Sequence, residues 1–179
     1  MDTLLKISGL IDALNERIGR AVKWLLLLAV LVSAGNALFR YGFNMSSNAW
    51  LEIQWYLFAL VFLFGAGYAL KHNAHVRIDI LYGRFSPRAQ AWVDLLGSLV
   101  FLLPMAGLIA WLGWSMFADS YAIGEMSPDA GGLSRWPIKL AIPVGFALLA
   151  LQGVSEAIKR AAFLLGKGEL SHEQAEEVV

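Results

Sequence analysis

Long apolar runs separated by short polar segments set the pattern of this chain. A bilayer-crossing helix needs roughly 20 mostly apolar residues, within about 17–25, and four stretches reach that length. The first covers 22–39, with Lys23 at one edge and Arg40 just past the other. The second covers about 50–70 and stops at Lys71, while the third covers about 91–117 and has no charge after Asp94. The fourth covers about 136–158, with Lys139 and Glu156 near opposite ends, where long side chains reach the interfaces. The expected fold is an all-α integral membrane protein. It has a single four-helix transmembrane domain over 1–166 and a polar, acidic tail over 167–179. Leu25 to Val32 also resembles the apolar stretch of a signal peptide, with Val32 and Ala34 placed as at a cleavage site. More than twenty residues precede it and the apolar run continues through Leu38, so an uncleaved span is expected.

The segments between the spans carry patterns of their own. Leu4, Ile7, Ile11, Leu14 and Ile18 recur at three- and four-residue steps, and Lys6, Asp12, Glu16, Arg17 and Arg20 take the other faces. Residues 1–20 therefore read as an amphipathic interfacial helix, which either lies in the headgroup layer or docks a partner subunit. After the second span, Val76, Ile78 and Ile80 alternate with polar residues, a pattern unlike a merely solvated loop. Ser86-Pro87 then offers an N-cap serine and a proline at the first helical position, so the third helix is expected to begin before the bilayer does. In the segment 118–136, Pro128 and Gly131-Gly132 force turns. Pro137 is tolerated near a helix start, and Pro143 is expected to kink the fourth helix.

Orientation follows from the basic residues. Lys6, Arg17, Arg20, Lys23, Lys71, Arg77, Arg84, Arg88, Lys159, Arg160 and Lys167 fall on one side of the expected topology, and Arg40, Arg135 and Lys139 on the other. Eleven against three puts both termini in the cytoplasm. Trp24 and Trp92 then mark the inner ends of spans, and Trp50, Trp111, Trp114 and Trp136 the outer ends, as in an aromatic belt.

Composition narrows the function. Of 179 residues, 58% are hydrophobic and 16% charged, and the mean hydropathy is +0.60; soluble domains average about 45–50% and about 25%. Zero net charge argues against a general nucleic-acid-binding surface. The absence of cysteine excludes disulfides, thiolate metal sites and cysteine nucleophiles. His72, His75 and His172 all fall outside the spans, so no axial haem ligand is available within them. His72 and His75, with Asp79, leave a loop metal site conceivable beside plain interfacial positioning, and no cofactor is expected. No catalytic triad or phosphate-binding glycine loop is visible, so the chain is not expected to be an enzyme.

A transporter handles its cargo near the midplane, where ionisable side chains mark the path. The centres of these four spans contain none. Asn36, Gln54 and Gln152 are the polar residues within spans, and none sits in a broken pair of half-helices. Asn36 and Gln152 read as interhelical hydrogen-bonding groups, and Ala29, Ser33 and Ala37 as close-packing positions. Such a chain looks like a subunit that holds something else.

The run Glu52-Ile53, Phe62-Leu63-Phe64-Gly65-Ala66-Gly67, Lys71 and His75-Val76-Arg77-Ile78-Asp79-Ile80-Leu81 resembles the small membrane subunit of tripartite ATP-independent periplasmic (TRAP) transporters. Glu125-Met126-Ser127-Pro128-Asp129, Gly131-Gly132-Leu133, Trp136-Pro137-Ile138-Lys139, Ile142-Pro143-Val144-Gly145-Phe146 and Leu151-Gln152-Gly153-Val154-Ser155-Glu156 resemble its mannitol/chloroaromatic-type branch. The resemblance covers about residues 20–165. It implies a small permease subunit in the cytoplasmic (inner) membrane of a bacterium or archaeon. The implied partners are a large multi-span membrane subunit that carries the substrate and ion sites, a periplasmic substrate-binding protein, and membrane lipids. Uptake of organic acids or related solutes would be driven by an ion gradient, sodium being the expected ion.

Candidate partner- or lipid-interface residues follow. Glu52, with Trp55 nearby, either pairs with a basic group of the large subunit or sits among headgroups. His75, Arg77 and Asp79 either fix the cytoplasmic loop against the third helix or bind lipid phosphate. Pro128, Gly131, Gly132, Arg135 and Trp136 are candidates for the surface facing the periplasmic protein. Two alternatives remain: an accessory subunit of another membrane complex, and a self-sufficient homodimeric small transporter. The second would need a membrane-embedded acid, and Glu52 lies near an edge.

Overall fold

A computed structural model describes residues 1–44, 47–74 and 82–167. Four helices there are long and apolar enough to cross a membrane: α1 (Asp2–Phe43), α2 (Asn48–Lys71), α3 (Pro87–Ala122) and α4 (Trp136–Leu164). The described residues contain no strand, only an isolated antiparallel bridge between Met126 and Ser134. The candidate residues His75, Arg77 and Asp79 lie outside the described residues.

Local chemistry accounts for the helix limits. Helix α1 has Asp2 in its first turn and Arg40 in its last, each opposing the partial charge of that helix end. No proline interrupts it, and its 42 residues rise about 63 Å at about 1.5 Å each. That is about twice the roughly 30 Å of a hydrocarbon core. The amphipathic segment is therefore the first half of the same helix that carries the first apolar run, not a separate element. Helix α2 stops where Asn73 turns left-handed, at φ +50°. The Asn73 N–H donates to the Leu70 carbonyl and the Ala74 N–H reaches back to Ala69 at 2.9 Å, which closes the last turn. Helix α3 starts on Ser86, whose hydroxyl accepts from the Ala89 N–H, with Pro87 next. It contains one π-helical turn, Ser98–Leu102, and ends at Gly124 (φ +59°) with the same paired bonds, to Tyr121 and Ser120.

The interior inverts that of a water-soluble protein. Among the described residues the fully shielded apolar side chains are alanines such as Ala29, Ala91, Ala106 and Ala162, and the other buried positions are polar residues, glycines and Pro143. Large apolar side chains point outward: Phe62 is 78% and Trp111 77% exposed. Lipid solvates such side chains as well as a core would, so small residues and polar groups take the inside of a membrane helix bundle.

The chain divides into two compact units. The first comprises Met1–Arg17, Ala66–Gly107 and Ala147–Val179. A buried polar network runs through it, with Gln152 at the centre. The Gln152 amide accepts from Asn15 Nδ2 at 3.0 Å and donates to Asp12 Oδ1 at 2.9 Å and Glu156 Oε1 at 3.0 Å. The Ser155 hydroxyl is 2.7 Å from both Ser8 Oγ and Asp12 Oδ1. Lys159 Nζ joins Glu156 at 2.5 Å and Asp12 at 3.2 Å. Glu156 is thus buried in this network instead of reaching an interface. Ser8 and Asn15 of the N-terminal segment are buried and Asp12 and Glu16 half-buried, whereas Leu4, Ile7 and Leu14 are exposed, as are Lys6, Arg17 and Arg20. Glu16 holds Lys71 at 2.7 Å and His72 at 2.9 Å. Gly67 lets the network close, because a Cβ there would collide with Asn15 Oδ1.

The second unit comprises Ile18–Gly65 and Leu108–Phe146. Close backbone approach organises it: a Cβ on Gly145 would lie 2.8 Å from Leu63 Cβ and 3.0 Å from its carbonyl oxygen. Gly113 similarly abuts Pro143, the proline inside α4.

Candidate functional site

The first two turns of α2 place Asn48, Glu52, Trp55 and Tyr56 on one face, since residues three and four apart in a helix are neighbours. All four engage the segment that links α3 to α4, which folds into a hairpin. In the hairpin the Ser127 N–H donates to the Leu133 carbonyl at 2.9 Å and the Arg135 N–H to that of Glu125 at 2.9 Å. The Gly132 N–H closes the turn onto the Asp129 carbonyl, and Gly131 supplies the left-handed position at φ +72°, where a side chain would be strained.

Glu52 is the centre of the site and only 3% exposed. Its Oε2 accepts the Leu133 N–H at 2.6 Å. Its Oε1 accepts the Ser127 hydroxyl and, at 3.2 Å, Arg135 Nη2. The Arg135 guanidinium also donates to Ser127 Oγ at 3.0 Å and sits 5.1 Å from the centre of the Trp55 ring, a cation–π distance. Tyr56 donates to the Ser134 carbonyl at 2.8 Å and Asn48 to that of Ala130 at 3.0 Å. Lys139 pairs with Glu125, and its hydrogen bond holds the Glu125 carboxyl below the usual glutamate range. Gly132 has no room for a side chain: a Cβ would lie 2.5 Å from Ser127 Cβ and 2.9 Å from Glu52 Oε1.

This geometry resolves the sequence-level candidates into separate roles. Glu52 meets Arg135 of its own chain, a partner not weighed among the expectations. Gly132, Arg135 and Trp55 join it in the clamp. Pro128 and Gly131 sit exposed at the hairpin turn. Trp136 opens α4 and packs edge-on against Tyr121, with centroids 5.5 Å apart, and 6.4 Å from Phe117. Sequence reasoning passed over Asn48, Tyr56, Ser127 and the Glu125–Lys139 pair. The helical spacing of Asn48, Glu52 and Tyr56 was the available signal. Among the described residues no group of three histidine or acidic side chains could hold a metal ion.

Four long apolar helices, with their polar side chains spent on tying the chain to itself, define a helical multi-pass membrane protein. Residues 29–163 match the family described as tripartite ATP-independent periplasmic transporters, DctQ component. The chain belongs to this family, the small permease subunits of TRAP transporters, which are permease components and not a class of enzyme. It is 34% identical over 116 residues to the C4-dicarboxylate TRAP transporter small permease protein DctQ of Rhodobacter capsulatus, covering 65% of this chain and 48% of that one. Against the protein of the same description from Pseudomonas aeruginosa it is 31% identical over 98 residues, 54% and 46% of the two chains. The ectoine TRAP transporter small permease protein TeaB of Halomonas elongata is 25% identical over 157 residues, 86% and 80% of the two chains. The chain thus spans about half the length of the two C4-dicarboxylate relatives. No solved structure matches it.

Proposed function

We propose that this chain is the scaffolding subunit of a secondary active importer in the cytoplasmic (inner) membrane of a bacterium or archaeon. It anchors a large multi-span membrane subunit and presents the 125–135 hairpin to a soluble periplasmic substrate-binding protein. An ion gradient, carried by sodium, drives uptake of organic acids or related small solutes, a class suggested by the C4-dicarboxylate and ectoine relatives. The observation that carries this reading is the clamp on the hairpin. Side chains of α2 fix its backbone at Leu133, Ser134 and Ala130, while Pro128, Asp129 and Ala130 remain exposed. A loop held rigid from below with its tip open is suited to docking.

Both termini face the cytoplasm, a placement supported by the eleven-to-three distribution of Lys and Arg. The hairpin then faces the periplasm. His75, Arg77 and Asp79 serve the opposite side, by fixing the loop there or by binding lipid phosphate; unchanged assembly and uptake in Arg77→Ala would remove them from both roles. The hairpin itself is tested by replacing 125–135 with a Gly/Ser linker. Uptake should fall while the yield of the assembled complex holds, and intact uptake would overturn the docking role.

A further inference from the structure

A groove of about 270 Å³ opens between the start of α1, the first half of α3 and the end of α4, all within the first unit. Met1, Leu4, Leu95, Leu99, Ile158 and Ala161 line it, and no polar side chain joins them. Along α3 the groove begins at a polarity boundary. Asp94 is the last charge before the apolar run, and Leu95 and Leu99 follow it. Arg88 precedes it. Residues seven apart in a helix share a face two turns apart, so Arg88 stands on the face of Leu95, about 10 Å nearer the helix start. Trp92, 53% exposed, falls between the two, as an interfacial tryptophan does.

The ion pairs of this unit sort its charges. Asp12 and Glu156 hold Lys159, Asp94 holds Arg160, and Glu16 holds Lys71. Among the described residues of the unit that leaves Asp2 as the one acid outside an ion pair. Lys6, Arg17, Arg84, Arg88 and Lys167 are exposed, and none of them forms an ion pair among the described residues. The charge the unit offers outward is therefore cationic, and Arg88 brings it to the face of α3 that lines the groove.

We propose that the groove holds an acyl chain of one anionic phospholipid, such as phosphatidylglycerol, whose phosphate is bound by the Arg88 guanidinium. A guanidinium presents paired donors to phosphate oxygens, and the apolar groove continues from it in the order in which a lipid passes from headgroup to chain. A zwitterionic headgroup adds an amine, which finds no counter-charge there, because the nearby carboxylate of Asp94 is already spent on Arg160 and the Tyr82 hydroxyl. The inference does not depend on the transport reading.

The test is native mass spectrometry of the full chain in mild detergent, equilibrated with equal phosphatidylglycerol, phosphatidylethanolamine and phosphatidylcholine of matched chains. One phospholipid should stay bound per chain, with phosphatidylglycerol preferred by about fivefold or more, the ratio that about 1 kcal/mol for one basic residue gives. Arg88→Gln should abolish the preference. Arg40→Gln should leave it intact, since Arg40 is equally exposed and free of ion pairs but lies at the other end of α1. Ala161→Phe fills the groove and should cut retention of all three lipids about fivefold. Equal retention of the three lipids, the result expected if a partner helix is what covers the groove, would overturn the proposal. So would an undiminished preference in Arg88→Gln, wild-type retention in Ala161→Phe, or displacement of the lipid by inorganic phosphate. If Ala161→Phe yields no folded protein, Arg88→Gln, a change at an exposed position, decides by the same outcomes.

Discussion

Adding one methyl group at Gly132 should unseat the hairpin. The new Cβ would lie 2.5 Å from Ser127 Cβ, 2.6 Å from Ser127 Oγ and 2.9 Å from Glu52 Oε1. Separations that short are not tolerated, so the hairpin arm carrying Leu133 and Arg135 must move away from α2 or Ser127 must leave Glu52. Overpacking of this kind costs about 1–3 kcal/mol, which at about 1.4 kcal/mol per tenfold lowers the docked-to-undocked ratio by about 5- to 150-fold. Hydrogen–deuterium exchange reads this directly at the Leu133 amide, which donates to Glu52 Oε2, and at the Arg135 amide, which pairs with Glu125. Both should exchange faster in Gly132→Ala. Gly42→Ala is the control, because a Cβ at Gly42 meets nothing within 4 Å. Unchanged protection at Leu133 in Gly132→Ala would refute the claim that contact with Glu52 holds the hairpin in place.

Other perturbations separate the two units. Gln152→Leu removes an amide that serves Asn15, Asp12 and Glu156; stranding buried polar groups costs about 1–3 kcal/mol, so thermal unfolding in detergent should begin at a lower temperature, whereas Ser8→Ala should cost about 1 kcal/mol or less. Glu52→Gln keeps the shape of the acid but not its charge, and should speed exchange at Leu133 and lower uptake without lowering complex yield. The Glu125 carboxyl titrates below its unfolded value because Lys139 bonds the charged form. Its stabilisation is therefore fully present above about pH 4.3, the ordinary glutamate value, and is lost as pH falls through the lower folded value. Hairpin protection should be flat from neutral pH down to that range and then drop, and Glu125→Gln should make the drop smaller.

Much of the helical architecture was legible in the sequence because apolar run length is local information. Four runs bounded by Lys23, Arg40, Lys71 and Asp94 are enough to expect four long apolar helices, and Ser86-Pro87 announces the start of the third. The N-terminal stripe is legible as an amphipathic helix whose apolar side meets headgroups or a partner, but the stripe does not announce what its polar side meets. Here Leu4, Ile7 and Leu14 are exposed, and Ser8, Asp12 and Asn15 face α4. In an apolar surrounding the polar side needs partners more than the apolar side needs cover. The clamp was only half legible. Glu52 and Arg135 stand out as charges at the edges of apolar runs, but they are 83 positions apart. No spacing rule links them, and their pairing exists only once the helices assemble. The π-helical turn at Ser98–Leu102 has no composition signal of its own.

Co-purification is the most direct test of whether this chain works as the small permease subunit of a larger transporter. With a C-terminal tag, native expression and mild detergent extraction, a much larger multi-span membrane protein should elute in stoichiometric amount. Elution of the chain alone, as a stable homodimer, would contradict the scaffold role and make Glu52 the first residue to test as a transport group.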